Sequence, residues 1–150
     1  MPVLEATLNP AYYMGALVFL VVIAMAIIRQ KETKAITRRF SREETKLVAF
    51  AVTFYGVESE NKKPLRVQGA LILTDSLLAF QSRFGDRGFD LPVDAVSSIG
   101  TTDRFCGKNL YQTVISIEFQ SEGNKTERAA YRIPHPARWV KAVRSAISGA

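Results

Sequence analysis

Hydrophobic and polar positions divide this chain into three stretches with different rhythms. From 11 to 28 (AYYMGALVFLVVIAMAII) the chain has no charge, no Pro, no Asn and no Gln. Eighteen helical residues rise about 27 Å, close to the hydrocarbon thickness of a bilayer. A helix satisfies its own backbone polar groups, so this run predicts a transmembrane helix over 11–28. Tyr12 and Tyr13 stand at its first edge, where amphipathic rings favour the headgroup level.

The second rhythm has a period of two. Strand signals fall at 47–55 (LVAFAVTFY), 67–74 (VQGALILT), 77–83 (LLAFQSR), 89–91, 96–102, 111–119 (YQTVISIEF) and 126–133. Residues 56–66 are polar, contain Pro64 and predict a loop. Asp75 and Ser76 predict a tight hairpin turn, residues 84–88 (FGDRG) a second turn, and residues 103–110 a loop. Along 111–119, Ile115, Ile117 and Phe119 alternate with Ser116 and Glu118. Along 126–133, Ala129, Tyr131 and Ile133 are expected inside, with Arg128 and Arg132 outside.

The third rhythm is helical. After Pro134-His135-Pro136, with Pro136 suited to a first helical position, Trp139, Val143 and Ile147 recur every four residues, joined by Val140. Such a stripe must be buried, and the open end of a strand barrel is its expected partner.

Charge adds an orientation. The ten residues before the apolar run hold no Lys or Arg and one acid, Glu5, whereas residues 29–46 hold seven basic and three acidic side chains. The positive-inside rule places the N-terminus outside and everything after Arg29 in the cytoplasm, at the inner membrane. Two other readings of the apolar run fit less well. A cleaved signal peptide wants a basic first region, and Ala24-Met25-Ala26 lies within the run rather than after it. A buried core helix usually carries a polar stripe. No G-x-x-x-G pattern is present, so Gly15 and Ala16 give only slight support for helix pairing.

The chain therefore divides into a short extracytoplasmic tail (1–10), a membrane helix (11–28), a basic juxtamembrane segment (29–46) and one folded domain (47–150). The juxtamembrane segment reads equally as a helical extension or a flexible tether. Four of the six net positive charges lie in it, and the folded part is only mildly basic, with thirteen basic and ten acidic side chains. Arg29, Lys31, Lys34, Arg38, Arg39 and Arg42 are thus candidates for contact with anionic lipid, each worth about 1 kcal/mol near the surface. Nucleic-acid binding is disfavoured, because the charge abuts a membrane and lacks interleaved aromatics.

Little points to catalysis. There is no G-x-S-x-G, Walker loop, H-E-x-x-H or C-x-x-C, and one His with one Cys cannot build a typical zinc site. No enzyme activity, cofactor or metal is expected. His135 reads as a turn or cap residue and Cys106 as structural or incidental. A single Cys makes no internal disulfide, in keeping with a reducing compartment.

Seven short antiparallel strands closed by an amphipathic helix with a Trp resemble the pleckstrin-homology (PH)-like superfold. GALILTDSLLAF (69–80) resembles the second hairpin of bacterial PH and GRAM-type domains. FDLPVDAVSSI (89–99) resembles the stretch that follows, and YRIPHPARWVKAVRSAI (131–147) the last strand and closing helix. The resemblance spans about 47–147 and implies a seven-stranded barrel, mainly β, capped by the C-terminal helix. Such domains are typically non-enzymatic binders of lipids, peptides or proteins. The family's basic cluster on the first two strands corresponds here to Lys62, Lys63 and Arg66. Pro64 interrupts it, and Glu58 and Glu60 oppose it. Arg83 and Arg87, at the next hairpin end, are candidates to converge with these three around an anionic ligand; solvated loop charges are the competing reading. The expected function is a membrane-anchored scaffold for a protein partner. Alternatives are an anionic-lipid headgroup sensor and a small regulatory subunit of a membrane complex.

Overall fold

Asn9 opens the first helix: its side chain accepts a hydrogen bond from the Ala11 N–H at 3.2 Å, and Pro10 takes the first helical position. The computed structural model describes residues 9–40, 44–84 and 88–149. Helix α1 runs without interruption over Pro10–Arg39, thirty residues. Its best window has a mean hydropathy of 2.5 and none of it is buried, so by length and composition it can cross a membrane. The apolar stretch ends at Ile28, but the helix does not: it continues three turns further, which decides for a helical extension over a tether as far as Arg39. The Thr33 and Thr37 hydroxyls donate to the carbonyls of Arg29 and Thr33 at 2.8 and 2.7 Å, which satisfies them on the helix surface.

Seven strands follow: β1 (Thr45–Val57), β2 (Val67–Thr74), β3 (Leu77–Ser82), β4 (Gly88–Pro92), β5 (Val96–Phe105), β6 (Lys108–Gln120) and β7 (Thr126–Arg132). They form one antiparallel sheet in the order β4-β3-β2-β1-β7-β6-β5. A single turn of 3-10 helix (Val93–Ala95) joins β4 to β5, and helix α2 (Pro136–Ser148) closes the chain. Side chains from all seven strands and α2 meet in one core. At its centre Phe54 lies 5.1 Å from Phe80, 5.2 Å from Phe89 and 5.0 Å from Tyr131, ring centre to ring centre. Trp139, Val143 and Ala146 seal it from α2, with Val140 and Ile147 at the margin. His135 occupies the N-cap of α2 with φ 55°, and its side chain makes no cap hydrogen bond.

Two expectations need correction. Residues 103–110 are not a loop. β5 continues to Phe105, Cys106 and Gly107 form a two-residue turn with φ 53° and 70°, and β6 starts at Lys108. Positive φ at both central residues is what a type I′ hairpin requires. The first strand is also longer than 47–55 and carries a bulge. Ala51 has φ 58°, and the pairing with β2 shifts between Ala49 and Val52. Leu47 and Ala49 face the core before the bulge; Val52 and Phe54 face it after. One extra residue thus inverts the inward parity.

The bulge leaves a continuous apolar run because the outer face of the sheet is covered as well. Val48, Phe50, Ala70 and Ile72 form an outer cluster under Ile36 of α1 and Phe40, the residue that caps its C-terminal end. A second outer cluster joins Tyr55, Phe105, Val114 and Ala130, roofed by the turn at Cys106 and by Leu110.

Candidate functional site

The distinctive region is where α1 meets the sheet. Ile36 is the one buried residue of α1 among those described, packed with Ala70 and Ile72. Polar contacts flank it on both sides. Toward the apolar span, Glu32 accepts from Arg83 Nε at 2.7 Å, and the Arg29 guanidinium lies 5.4 Å from the centre of the Phe50 ring. Toward the C-terminal end, Arg39 pairs with Asp90 of β4, donates to Gln81 Oε1 at 3.3 Å and lies over Phe40. At about 100° per residue, positions 29, 32, 36 and 39 share one face of α1. Lys31, Lys34 and Arg38 fall on the opposite side and are exposed.

The six juxtamembrane candidates therefore separate. Arg29 and Arg39 are turned onto the domain; Lys31, Lys34 and Arg38 are turned away from it. Arg42 lies outside the described residues.

The five loop candidates also separate. Lys62, Lys63 and Arg66 are exposed on the β1–β2 connection, with no salt bridge or side-chain hydrogen bond among the described residues. Their backbone is pinned. The Leu65 N–H donates to the Tyr55 carbonyl at 2.8 Å, Asn61 Nδ2 donates to the Val57 carbonyl at 3.2 Å, and Cys106 Sγ donates to the Asn61 carbonyl at 3.4 Å. Gly56, with φ 92°, lies directly beneath this loop: a Cβ there would come within 2.8 Å of Asn61 Nδ2. Glu58 does not oppose the three cations freely, because it takes two hydrogen bonds from Arg128, at 2.8 and 3.2 Å. Arg128 in turn lies 5.8 Å over Phe105. Arg83 stands apart, its guanidinium committed to Glu32, and Arg87 lies outside the described residues.

Cys106 is half-buried, and burial, then the Glu58 carboxylate, push its thiol above the ordinary range, with Arg128 acting the other way. That environment favours an unreactive thiol. Among the described residues no three His, Cys, Asp or Glu side chains are grouped to hold a metal.

Sequence reasoning missed Glu32, Ile36, Phe50 and Asp90, which build the junction. The signal was present in β1 and β2: apolar runs without alternation mark strands covered on both faces.

A cleft of about 640 Å³ opens beside the junction, between the last apolar turn of α1, the bulged part of β1 and the start of α2.

No family model matches this chain, and no curated protein does. Among solved structures it is similar to a chain of the 8S snRNP assembly intermediate, with a TM-score of 0.48 and 13% identity over 71% of this chain and 80% of that one. It is also similar to the C-terminal domain of an unknown protein from Leishmania infantum, with a TM-score of 0.43 and 19% identity over 55% of this chain and 71% of that one. Similarities this distant assign neither family nor function.

Proposed function

We propose that this chain is a non-catalytic binding and scaffold module of PH-like barrel fold, anchored by α1 with its N-terminus outside and the domain at the cytoplasmic face. There it recruits or regulates a protein partner. The observation that supports this reading is the docking of α1 on the sheet through Ile36, Glu32–Arg83 and Arg39–Asp90. A domain on a free tether samples all orientations. A domain fixed to its own membrane helix presents the same surface to every neighbour in the bilayer, and anchoring raises the effective concentration of a membrane-bound partner. The strand order, the closing helix with Trp139 and the position of the GALILTDSLLAF segment on the β2–β3 hairpin favour the PH-like assignment.

Affinity capture of the full chain from detergent-solubilised membranes tests the reading. A stoichiometric partner retained by the native chain and lost on Ile36→Asp supports it; recovery of nothing specific counts against it. A partner complex whose retention instead follows the apolar residues of α1 favours the regulatory-subunit reading.

The exposed, unpaired Lys62, Lys63 and Arg66 favour a second reading, an anionic-lipid sensor at the β1–β2 loop. Reversing all three charges should then abolish the binding of the domain to vesicles containing anionic lipid. Unchanged binding sinks the idea.

A further inference from the structure

We infer that the cleft between α1 and α2 is a seat for one anionic phospholipid of the bilayer that α1 crosses, distinct from the β1–β2 loop. The inference rests on α1 spanning a membrane and not on the protein-partner reading. The wall supplied by α1 changes character along its length. Met25, Ala26 and Ile28 belong to the apolar stretch, and Arg29 is the first charge after it. The cleft therefore straddles the level where acyl chains give way to headgroups. The facing wall brings His135 and Arg138 from the start of α2 to that same level.

Charge in the cleft is unbalanced. Its one acid, Glu32, is already taken by Arg83 at 2.7 Å, so Arg29 and Arg138 remain without a carboxylate partner among the described residues. The first turn of α2 adds to the imbalance. It contains no acidic residue, and the His135 side chain caps no N–H, so the positive end of the helix is not neutralised by the chain itself. A phosphodiester offers two acceptor oxygens to such donors, and its acyl chains continue down the apolar side of α1. A soluble phosphate would satisfy only the upper half of this cleft. A docked protein helix would have to place its own backbone at headgroup depth.

The test uses the full chain reconstituted in vesicles of equal phosphatidylcholine and phosphatidylglycerol. It is then extracted in mild detergent and weighed by native mass spectrometry with its retained lipids. Arg138→Gln removes one charge from the cleft at an exposed helix position, so folding is not at stake. Lys141→Gln removes one charge from the same helix outside the cleft. The native chain and Lys141→Gln should retain one phosphatidylglycerol in clear preference to phosphatidylcholine. Arg138→Gln should lower that preference by about fivefold, the equivalent of one basic charge at the surface.

Equal retention of the two lipids by the native chain overturns the inference. So does an equal fall in both variants, which would mark diffuse surface charge. Resistance of the vesicle-bound chain to alkaline carbonate is read on the same samples. A chain that washes off overturns the membrane span together with the cleft, whereas a chain that stays without lipid preference overturns the cleft alone.

Discussion

Arg83, one residue past the end of β3, donates through Nε to Glu32 of α1 at 2.7 Å, across fifty-one positions of sequence. The Glu32 side chain is only 9% exposed and that of Arg83 27%, so the pair is shielded from solvent more than a surface ion pair. Reversing either charge alone leaves a like pair at the junction and should lower stability by about 1–2 kcal/mol, while the double exchange should recover about 1 kcal/mol of coupling. Thermal unfolding of the two single variants and the double variant gives the cycle. Additive losses would mean that the two side chains do not interact.

Ile36 should hold the junction by packing. Truncation to Ala removes most of a buried side chain, worth about 2 kcal/mol at a site that can partly collapse. The loss falls on docking rather than on the core, because Ile36 touches only the outer cluster. Trypsin cleavage after Arg38 and Arg39 reports undocking. Where opening is fast relative to cleavage, its rate should rise roughly thirtyfold. A native cleavage rate would show that Ile36 bears no weight.

Tyr131 is fully buried and its hydroxyl has no hydrogen-bond partner. Leaving such a group unmade costs stability, so Tyr131→Phe should raise the unfolding free energy by about 1 kcal/mol at neutral pH. Burial, then the charge of Asp90, push the phenol well above its ordinary pKa of 10.0. With the folded value above the unfolded one, Tyr131 has no effect on the pH dependence below about pH 10. Above it the unfolded chain releases the proton first, and stability falls by up to about 1.4 kcal/mol per unit. Tyr131→Phe should therefore soften alkaline unfolding as well. A lower melting temperature in the Phe variant at pH 7.5 would contradict this.

Gly69 allows β2 and β3 to meet. A Cβ there would overlap the Gln81 carbonyl oxygen and lie 2.8 Å from Phe80 Cζ. Neither can move freely, since Phe80 packs on Phe54 and Gln81 pairs with Ala70 and Gly88. Gly69→Ala should cost about 3 kcal/mol, whereas the same change at Gly100, which has open space around it, should cost far less. Melting temperatures of the two variants check the difference.

The parts of the fold set by local pattern were legible in the chain. The apolar run, the alternation of Ile115, Ile117 and Phe119 and the Trp139–Val143 stripe fall where their periods put them. The β5–β6 hairpin was not legible, because Asp103, Arg104, Lys108 and Asn109 are polar and Cys106-Gly107 lacks the usual Asn-Gly signal. The junction was hidden for another reason. Its α1 face is mostly charged: Arg29 and Arg39 read as lipid contacts, and Glu32 stands without a role, until Phe50, Arg83 and Asp90 are brought beside them. For the same reason Arg83 groups in sequence with the anionic-ligand loops, whereas its guanidinium pairs with Glu32. Lys62, Lys63 and Arg66 lie exposed on the β1–β2 connection, where the polar run 56–66 puts them.

The functional reading turns on a fixed mounting of the domain on α1, and electron spin resonance measures it directly. Labels at Lys34, on the outward side of α1, and Glu118, exposed on β6, would be placed in a Cys106→Ser background, with the full chain in lipid nanodiscs. A docked helix predicts one narrow distance distribution that broadens on Ile36→Asp. A broad distribution in the native chain, unchanged by that substitution, would mean that the domain hangs on a tether and that the account is wrong.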